Sequence, residues 1–364
     1  MASRSLVSPT SNPPLEMALL EKIHRRNQGG GSLGELEPLA VRLGLMQNSL
    51  KPRFFDPQML IFAADHGIAV DGIGGPHQPS THDIVNQLIG GRLPLSVFAR
   101  AQQIELSVVD CGVAQDLPAH DHLLMRKIAH GTRNARLSAA MSVEQAHAAM
   151  RAGMEIGDKL RGNAVVLAGL GLGSNESAAM VLARLSDTPV RELMLSAPAY
   201  EGDPPSPAQD VVKKTLQRHR GVSDPVEVLA ALGGFEIAVM VGVMLMAASK
   251  RHLLLVDGMP ACAALMLASR IAQPVTDYCV FCRSHSQRGL DKTLSLFRAT
   301  ALMELGLDHT DGTGATLAWP LVRSAAALLT DVLEGDDPGP SAPTPLADGD
   351  DAPLAHLFPG ERLY

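Results

Sequence analysis

Short apolar segments that alternate with stretches of helical periodicity constrain this chain more than any other feature. Four segments are clear and a fifth is weaker: Met59–Ala64, Ile104–Asp110, Ala164–Gly169, His252–Asp257 and Val275–Phe281. Nearly continuous apolar strands separated by helices are typical of a parallel sheet that is covered on both faces. The sequence therefore predicts an α/β fold with a doubly wound, mainly parallel sheet and right-handed crossovers.

Composition argues against several classes of partner. The chain has 31 Lys and Arg against 38 Asp and Glu, its formal charge is −7, and aromatic residues make up 3%. A chain of this charge without stacking aromatics is a poor partner for nucleic acid or an anionic membrane. Residues 1–14 lack the apolar stretch of a secretory signal, and no apolar run reaches the roughly 20 residues of a membrane span. We therefore expect a cytoplasmic protein with reduced cysteines.

The residues that follow the apolar segments are candidates for a substrate pocket, because ligands of an open parallel sheet bind beyond the carboxyl ends of its strands. Asp65 and His66 follow the first segment, and Asp257 ends the fourth. A carboxylate at such a position can hold a hydroxyl or accept a proton. A glycine after one strand usually only turns the chain, but turn and acidic residues after four segments together favour a binding site.

The loop Gly169–Ser174 is the sharpest local motif. It follows an apolar segment and precedes a helical stretch, so its backbone N–H groups and the helix N-terminus suit a phosphate. It lacks the acidic residue of a dinucleotide fingerprint and the Lys-Ser/Thr of a P-loop. We therefore predict that Gly171, Leu172, Gly173 and Ser174 bind a phosphate monoester.

Two other features leave less specific expectations. Cys279 and Cys282 form a C-x-x-C pair without a second pair at zinc spacing, so no metal site is predicted. The stretch Gly233–Ala248 is apolar on more faces than a surface helix requires. It predicts either a contact with a second copy, and hence a homodimer, or a helix buried inside one domain.

Several long segments together are similar to one family. FAADHGIAVDGI, GLGLGSNESAA, SDPVEVLAALGGFEIAVMVG and ELGLDHTDGTGATLAWPLVR occur in the family's order, and the similarity extends from about Ile23 to Leu329. On these motifs the chain resembles the nicotinate-nucleotide:dimethylbenzimidazole phosphoribosyltransferases, which make α-ribazole phosphate for the lower ligand of cobalamin. The resemblance implies a homodimer, a large Rossmann-like domain and a small helical domain built from both chain ends.

The domain boundaries that we expect follow from this resemblance and from the helical stretches at both ends. Residues 15–50 and 291–334 are assigned to the small helical domain, and residues 51–290 to the large Rossmann-like domain. Residues 1–14 are rich in Ser, Pro and Asn, and residues 335–364 are rich in Asp, Pro and Gly. We expect the first segment to be disordered and the second to be a mobile tail.

The family's reaction moves the 5-phosphoribosyl group of nicotinate mononucleotide to a nitrogen of dimethylbenzimidazole or a related base. Nicotinate leaves, and the configuration at C1′ changes from β to α. The resemblance implies no cofactor and no metal, because the leaving pyridine nitrogen already carries a positive charge. The implied partners are therefore small molecules: nicotinate mononucleotide and a benzimidazole-type base.

The resemblance also assigns roles to residues. The family's phosphate loop corresponds to Gly171–Ser174, and its phosphate-facing lysine corresponds to Lys213 or Lys214, of which the spacing favours Lys213. The general-base glutamate of the family corresponds to Asp311, which can equally be the cap of the helix that follows it. The next three residues of the same motif are assigned to the substrate pocket: Gly312, Thr313 and Gly314.

Other positions depart from the family where substrate should bind. A second family glutamate corresponds to Gly169, the serine that contacts the base corresponds to Gly74, and an S-x-E-P-G-H segment survives only at Ser286–Gly289. Gly74 and Ser286 are kept as substrate-pocket residues. The enzyme has changed its base or its donor, or the chain has lost catalysis and kept a nucleotide-binding or partner role. An unrelated dinucleotide oxidoreductase is disfavoured, because the loop and acidic residue that it needs are missing.

Overall fold

A six-stranded parallel sheet forms the centre of the molecule. The computed structural model describes residues 6–26, 31–73, 78–194, 206–284, 288–307 and 309–332. The strand order is β3-β2-β1-β4-β5-β6, with β1 Gln58–Ala64, β2 Glu105–Gly112, β3 Leu123–Met125, β4 Ala164–Leu170, β5 Leu253–Val256 and β6 Cys279–Phe281. All neighbouring strands are parallel, and β1 and β5 are buried almost throughout. The predicted α/β class with a mainly parallel, Rossmann-like sheet is confirmed.

Helices connect the strands and cover the sheet. Their bounds are α1 Pro13–Arg26, α2 Leu36–Gln47, α3 Thr81–Ile89, α4 Pro94–Ala101, α5 Val143–Asp158, α6 Ser174–Ser186, α7 Pro207–Arg218, α8 Pro225–Leu232, α9 Phe235–Ser249, α10 Met259–Ile271, α11 Arg288–Leu296 and α12 Thr313–Thr330. Local side chains set several starts. Ser142 and Gln145 form a capping box at α5, and Ser206 and Gln209 form one at α7.

The apolar helix α9 is buried inside one chain. It packs against β1, β2, β4 and β5, while α5 crosses it closely on another side. A Cβ on Gly153 would overlap the carbonyl oxygen of Val239, and a Cβ on Gly242 would overlap that of Met150, so the two backbones touch. Of the two explanations for the apolar stretch Gly233–Ala248, the buried helix is correct. This stretch therefore gives no support to the predicted homodimer.

The beginning of the chain departs from the predicted disordered segment. Val7 is fully buried, the Tyr278 hydroxyl donates to the carbonyl oxygen of Ser8 at 2.8 Å, and the Thr10 N–H donates to Asp277 at 3.1 Å. The prediction of disorder over residues 1–14 is therefore wrong for residues 6–14. A Ser/Pro-rich composition did not prevent one valine from reaching the core.

Helices from both chain ends lie together, as the resemblance implied. α12 packs against α2 and α1, and Arg26 Nη1 donates to the carbonyl oxygen of Leu328 at 2.7 Å. α12 also packs against α4, which lies beside the sheet. The division into a small domain of residues 15–50 and 291–334 and a large domain of residues 51–290 stays a prediction.

A short two-stranded sheet lies between α10 and α12 in the chain. Its strands are β7 Arg283–Ser284 and β8 Met303–Glu304, and they pair in parallel. The helical spacing of apolar residues over Leu290–Leu305 predicts a single helix there, but α11 ends at Leu296 and Arg298 has a φ of 52°. The helix prediction is wrong beyond residue 296, because the chain turns there to reach the edge of β7.

Candidate active site

The strand order reverses between β1 and β4, and the loops after these two strands meet at that point. Such a crevice is where open α/β sheets bind ligands. The backbone N–H of His66, which follows β1, donates to the carbonyl oxygen of Leu172, which follows β4, at 3.1 Å. Gly171 lies so close to β1 that a Cβ would overlap the Ala64 carbonyl oxygen, so only glycine fits there.

Thr81, the first residue of α3, ties the glycine loop to β1. Its Oγ1 accepts from the Leu172 N–H at 3.1 Å, and its hydroxyl donates to the carboxylate of Asp65. The other oxygen of Asp65 accepts from the Ala114 N–H at 2.7 Å. Asp65, predicted as a pocket residue, therefore holds three loops in place.

A buried polar cluster lies beside the same loop. Glu236 Oε1 accepts from Ser174 Oγ at 2.8 Å and lies 2.8 Å from His66 Nε2. Burial by itself lowers the pKa of His66, but the carboxylate of Glu236, followed by those of Asp65 and Glu176, outweighs burial and raises the pKa overall. His66 and Glu236 form a buried hydrogen-bonded pair, which becomes an ion pair when His66 is protonated, and Glu236 also anchors Ser174, the first residue of α6.

An ion-pair cluster lies across the crevice, at the end of β5. Arg283 Nε donates to Asp257 Oδ1 at 2.5 Å, Nη2 donates to Asp311 Oδ1 at 2.5 Å, and Nη1 donates to the carbonyl oxygen of Leu307 at 2.6 Å. Burial by itself lowers the pKa of Arg283, but the carboxylates of Asp257 and Asp311 outweigh burial and raise the pKa above its ordinary value. The guanidinium thus stays charged between the two aspartates.

Asp257 is a structural member of this cluster. Its second oxygen accepts from the N–H groups of Gly312 and Ala315, at 2.9 and 3.0 Å, and so caps the N-terminus of α12. The Asp257 side chain is fully buried, whereas that of Asp311 is 17% exposed. Of the two carboxylates, Asp311 is the one that a substrate can reach.

Two cavities lie on either side of the Thr81–Leu172 hydrogen bond. The first, the Asp311 cavity, has a volume of about 140 Å³ and is lined by Gln78, Thr81, Ile84, Gly169–Leu172, Ser174, Asn175, Pro260 and His309–Asp311. The second, the His66 cavity, has a volume of about 330 Å³ and is lined by Asp65–Gly67, Ala69, Val70, Ser80–His82, Ala114, Gln115, His130–Thr132 and Leu172. A larger cavity of about 560 Å³ beside the start of β2 contains none of the predicted site residues.

The structure brings most of the predicted phosphate loop to the Asp311 cavity. Gly171, Leu172 and Ser174 line it, while Gly173 is buried behind them in the left-handed conformation as the N-cap of α6. Lys213 is exposed on α7 and lines neither of these two cavities. Its role as the phosphate's counter-charge stays a prediction that this geometry does not support.

The predicted pocket residues divide into separate groups. Asp65 and His66 line the His66 cavity, and Asp311 lines the other. Asp257 and the motif Gly312–Gly314 are buried at the start of α12 and line neither cavity. Asp311 therefore lines the cavity itself, whereas Asp257 and Gly312–Gly314 are buried next to it and hold the start of α12 in place. Gly74 and Ser286 lie outside the described residues.

Sequence reasoning missed Arg283, Glu236 and Thr81. Arg283 is an isolated cation next to a weak apolar segment, and Thr81 is one of many hydroxyl residues, so neither gave a local signal. Glu236 did give one, because it is the only charged residue between Phe235 and Ser249. A lone carboxylate inside an apolar helix must have a partner in the fold, which points to a polar cluster.

Two negative findings concern the described part of the chain. Nowhere in it do three or more His, Cys, Asp or Glu side chains gather in a way that would hold a metal ion. None of its helices combines the length and the apolarity needed to cross a membrane.

A Rossmann-like sheet, a glycine loop at its switch point and a carboxylate across one cavity from that loop define an α/β enzyme that handles a phosphate ester. Comparisons with known proteins make the class specific. A family model described as "Phosphoribosyltransferase" matches residues 9–339. The chain belongs to this phosphoribosyltransferase family.

Relatives and a solved structure agree over nearly the whole chain. The nicotinate-nucleotide–dimethylbenzimidazole phosphoribosyltransferase of Dechloromonas aromatica is 38% identical over 333 residues, which cover 90% of this chain and 96% of that protein. The enzyme of the same name from Janthinobacterium sp. is 34% identical over 326 residues, with 89% and 94% covered. The crystal structure of the enzyme from Thermus thermophilus superposes with a TM-score of 0.80 at 30% identity, covering 88% of this chain and 96% of that one.

Proposed function

We propose that this chain transfers the 5-phosphoribosyl group of nicotinate mononucleotide to dimethylbenzimidazole or a related base, giving α-ribazole phosphate and nicotinate. One observation carries the proposal: the glycine loop and Asp311 line the same cavity. A phosphate held at the loop and a proton acceptor across from it are the two groups that this transfer requires. The relatives' names supply the substrates.

The steps follow from this arrangement. The donor phosphate lies at the loop and the N-terminus of α6, whose dipole favours an anion. A ring nitrogen of the base forms a bond to C1′, while the C1′–nitrogen bond to nicotinate breaks and its electron pair neutralises the pyridinium. The proton on the other ring nitrogen passes to the carboxylate of Asp311. Attack from the face opposite nicotinate gives the α configuration.

Substitution of Asp311 tests the proposal. Asp311→Asn keeps the size of the side chain but removes the proton acceptor, so we expect phosphoribosyl transfer to stop while the dissociation constant for nicotinate mononucleotide stays unchanged. Asp311→Glu extends the carboxylate by about 1.5 Å and should keep or raise the rate with dimethylbenzimidazole. Nicotinate release is measured by mass spectrometry.

Asp71→Asn is the matched control. Asp71 is also paired with an arginine, since Arg136 Nη2 lies 2.7 Å from its carboxylate, but it lines neither site cavity. Its substitution should leave the rate unchanged. Full activity of Asp311→Asn would exclude Asp311 as the base, and a wild-type protein that releases no nicotinate with any base would favour the non-catalytic alternative.

The homodimer belongs to the same proposal. It rests on the resemblance to dimeric enzymes and on two exposed apolar side chains of α1, Met17 at 69% and Leu20 at 54% exposure, three residues apart on one helix face. Light scattering at micromolar concentration should give twice the mass of 38.5 kDa. A monomeric mass would contradict it.

A further inference from the structure

Arg283 joins the two carboxylates at the end of β5. Its three kinds of nitrogen donate to three different acceptors, and the side chain is only 8% exposed. An arginine that makes a forked contact of this kind has little rotational freedom left. The atom that it presents to the cavity side is Nη2, which holds Asp311 Oδ1.

Two glycines make room for this contact. A Cβ on Gly258, whose φ is +93°, would overlap the carboxylate of Asp311, and a Cβ on Gly314 would come within 2.6 Å of Arg283 Cδ. Backbone atoms of these two glycines therefore lie close to the pair on two sides, where a larger residue would overlap it. The cluster is therefore a closely packed, largely buried set of ion pairs and not a contact between exposed surface charges.

The charges of the cluster do not cancel. One guanidinium faces the two carboxylates of Asp257 and Asp311, and Asp257 is also bound by two N–H groups of α12. Other described titratable groups near Asp311 include Cys262 on α10, whose thiol burial keeps neutral by raising its pKa, and His309 on the cavity wall. Arg283 is a described cation in direct contact with the Asp311 carboxylate.

We propose that Arg283 is the positioning residue of the reaction: it fixes the Asp311 carboxylate toward the Asp311 cavity and keeps it ionised, ready to accept the proton of the base. This inference rests on the proposed function, because it gives Asp311 the role of proton acceptor. Arg283 itself does not line the Asp311 cavity. It acts through Asp311, in the way that a charged neighbour prepares a general base.

The experiment compares Arg283→Gln, Arg283→Lys and the control Arg251→Gln. Arg251 also donates to backbone carbonyls, of Met46 and Leu45, but it lies before β5, at the end of the strand away from the site. Two quantities are measured from pH 4 to 9: kcat/KM for nicotinate mononucleotide, and the titration of the ¹³C-labelled Asp311 carboxyl by NMR. The signal is assigned by its loss in Asp311→Asn.

Arg283→Gln should move the acidic limb of kcat/KM and the carboxyl titration upward together by at least about one pH unit, a tenfold loss of rate on the acidic side. Arg283→Lys should shift both less, because it keeps the charge but loses the fork. Arg251→Gln should move neither. A purely structural Arg283 would lower the rate without moving either midpoint.

Each outcome of this experiment either supports or overturns the role of Arg283. An unmoved carboxyl titration in Arg283→Gln overturns the inference, whatever the rate. If Arg283→Gln does not fold, an unmoved titration in Arg283→Lys overturns it. If the wild type shows no turnover, the proposed function fails, while the NMR titration still decides whether Arg283 holds Asp311 ionised.

Discussion

The contribution of His66 to the stability of the fold depends on pH. Its pKa in the folded protein is raised above 6.5, because nearby carboxylates outweigh the effect of burial. A raised pKa means that protonated His66 stabilises the fold fully below 6.5, and that this contribution is lost as the pH rises through the folded-state value. We therefore expect His66→Gln to lower the free energy of unfolding more at pH 6 than at pH 9.

His252 provides a control of opposite sign. Burial lowers its pKa, followed by the nearby Lys250, so its contribution is present at high pH and is lost as the pH falls below 6.5. His252→Gln should thus cost less at pH 6 than at pH 9. Urea unfolding at the two pH values measures both variants, and equal costs for His66→Gln at pH 6 and pH 9 would contradict the ion pair with Glu236.

Gly171 is a second residue whose identity the structure dictates. Gly171→Ala forces a Cβ onto the carbonyl oxygen of Ala64, so the loop or the end of β1 must move. We expect a loss of about 1–3 kcal/mol in unfolding free energy and weaker binding of nicotinate mononucleotide. Gly221→Ala is the control, since nothing lies within 4 Å of the position that its new methyl group would take. A stable Gly171→Ala with unchanged binding would show that the loop does not need this close approach.

At the scale of elements, two helix caps with similar hydrogen bonds differ in burial. Asp224 accepts from two N–H groups of α8 at the surface, and Asp257 accepts from two at α12 while buried against Arg283. Asp224→Ala should cost about 0.5–2 kcal/mol, as exposed caps do. Asp257→Ala leaves a buried guanidinium with one carboxylate fewer and should cost about 3–5 kcal/mol. Similar costs in thermal unfolding would contradict the structural role of Asp257.

Five of the six strands of the main sheet were predictable from the sequence because each contains a continuous apolar run, and their bounds agree with the predicted segments to within a few residues. The edge strand β3 was missed, because three residues carry no recognisable pattern. Capping boxes stand just before α5 and α7, so the local sequence also marks where these two helices begin. The sheet of β7 and β8 was not predictable, since two strands of two residues carry no periodicity. Its pairing depends on contacts between residues that are 20 positions apart in the chain.

The candidate site was predictable in its backbone and not in its side-chain network. The glycine loop is recognisable by its spacing alone, and the structure places it at the switch point. By contrast, Asp257 was predicted as a pocket residue and Asp311 as the general base or a helix cap, with no link between them, although one arginine holds both. Which cation reaches which carboxylate depends on how β7 lies beside α12, and no sequence pattern encodes that.

At the scale of the whole molecule, residues 6–10 fasten the chain start to the region before β6. We expect Val7→Ala to lower the unfolding free energy by about 1–3 kcal/mol, because a fully buried side chain loses two methyl groups. Leu6 is 47% exposed, so Leu6→Ala is the control and should cost much less. Chemical denaturation followed by circular dichroism measures both, and equal small costs would show that the terminal segment does not contribute to global stability.

Gly169 and Pro260 are packed against each other beside the candidate site. A Cβ on Gly169 would overlap the ring of Pro260, which opens α10 and cannot rotate away. A glutamate at position 169 would therefore require a change at position 260 as well. Each step alone is unfavourable: an acid beside the proline clashes, and a smaller residue beside the glycine leaves a void. The two positions are therefore coupled, so among its described lining residues the Asp311 cavity keeps a single carboxylate unless positions 169 and 260 change together.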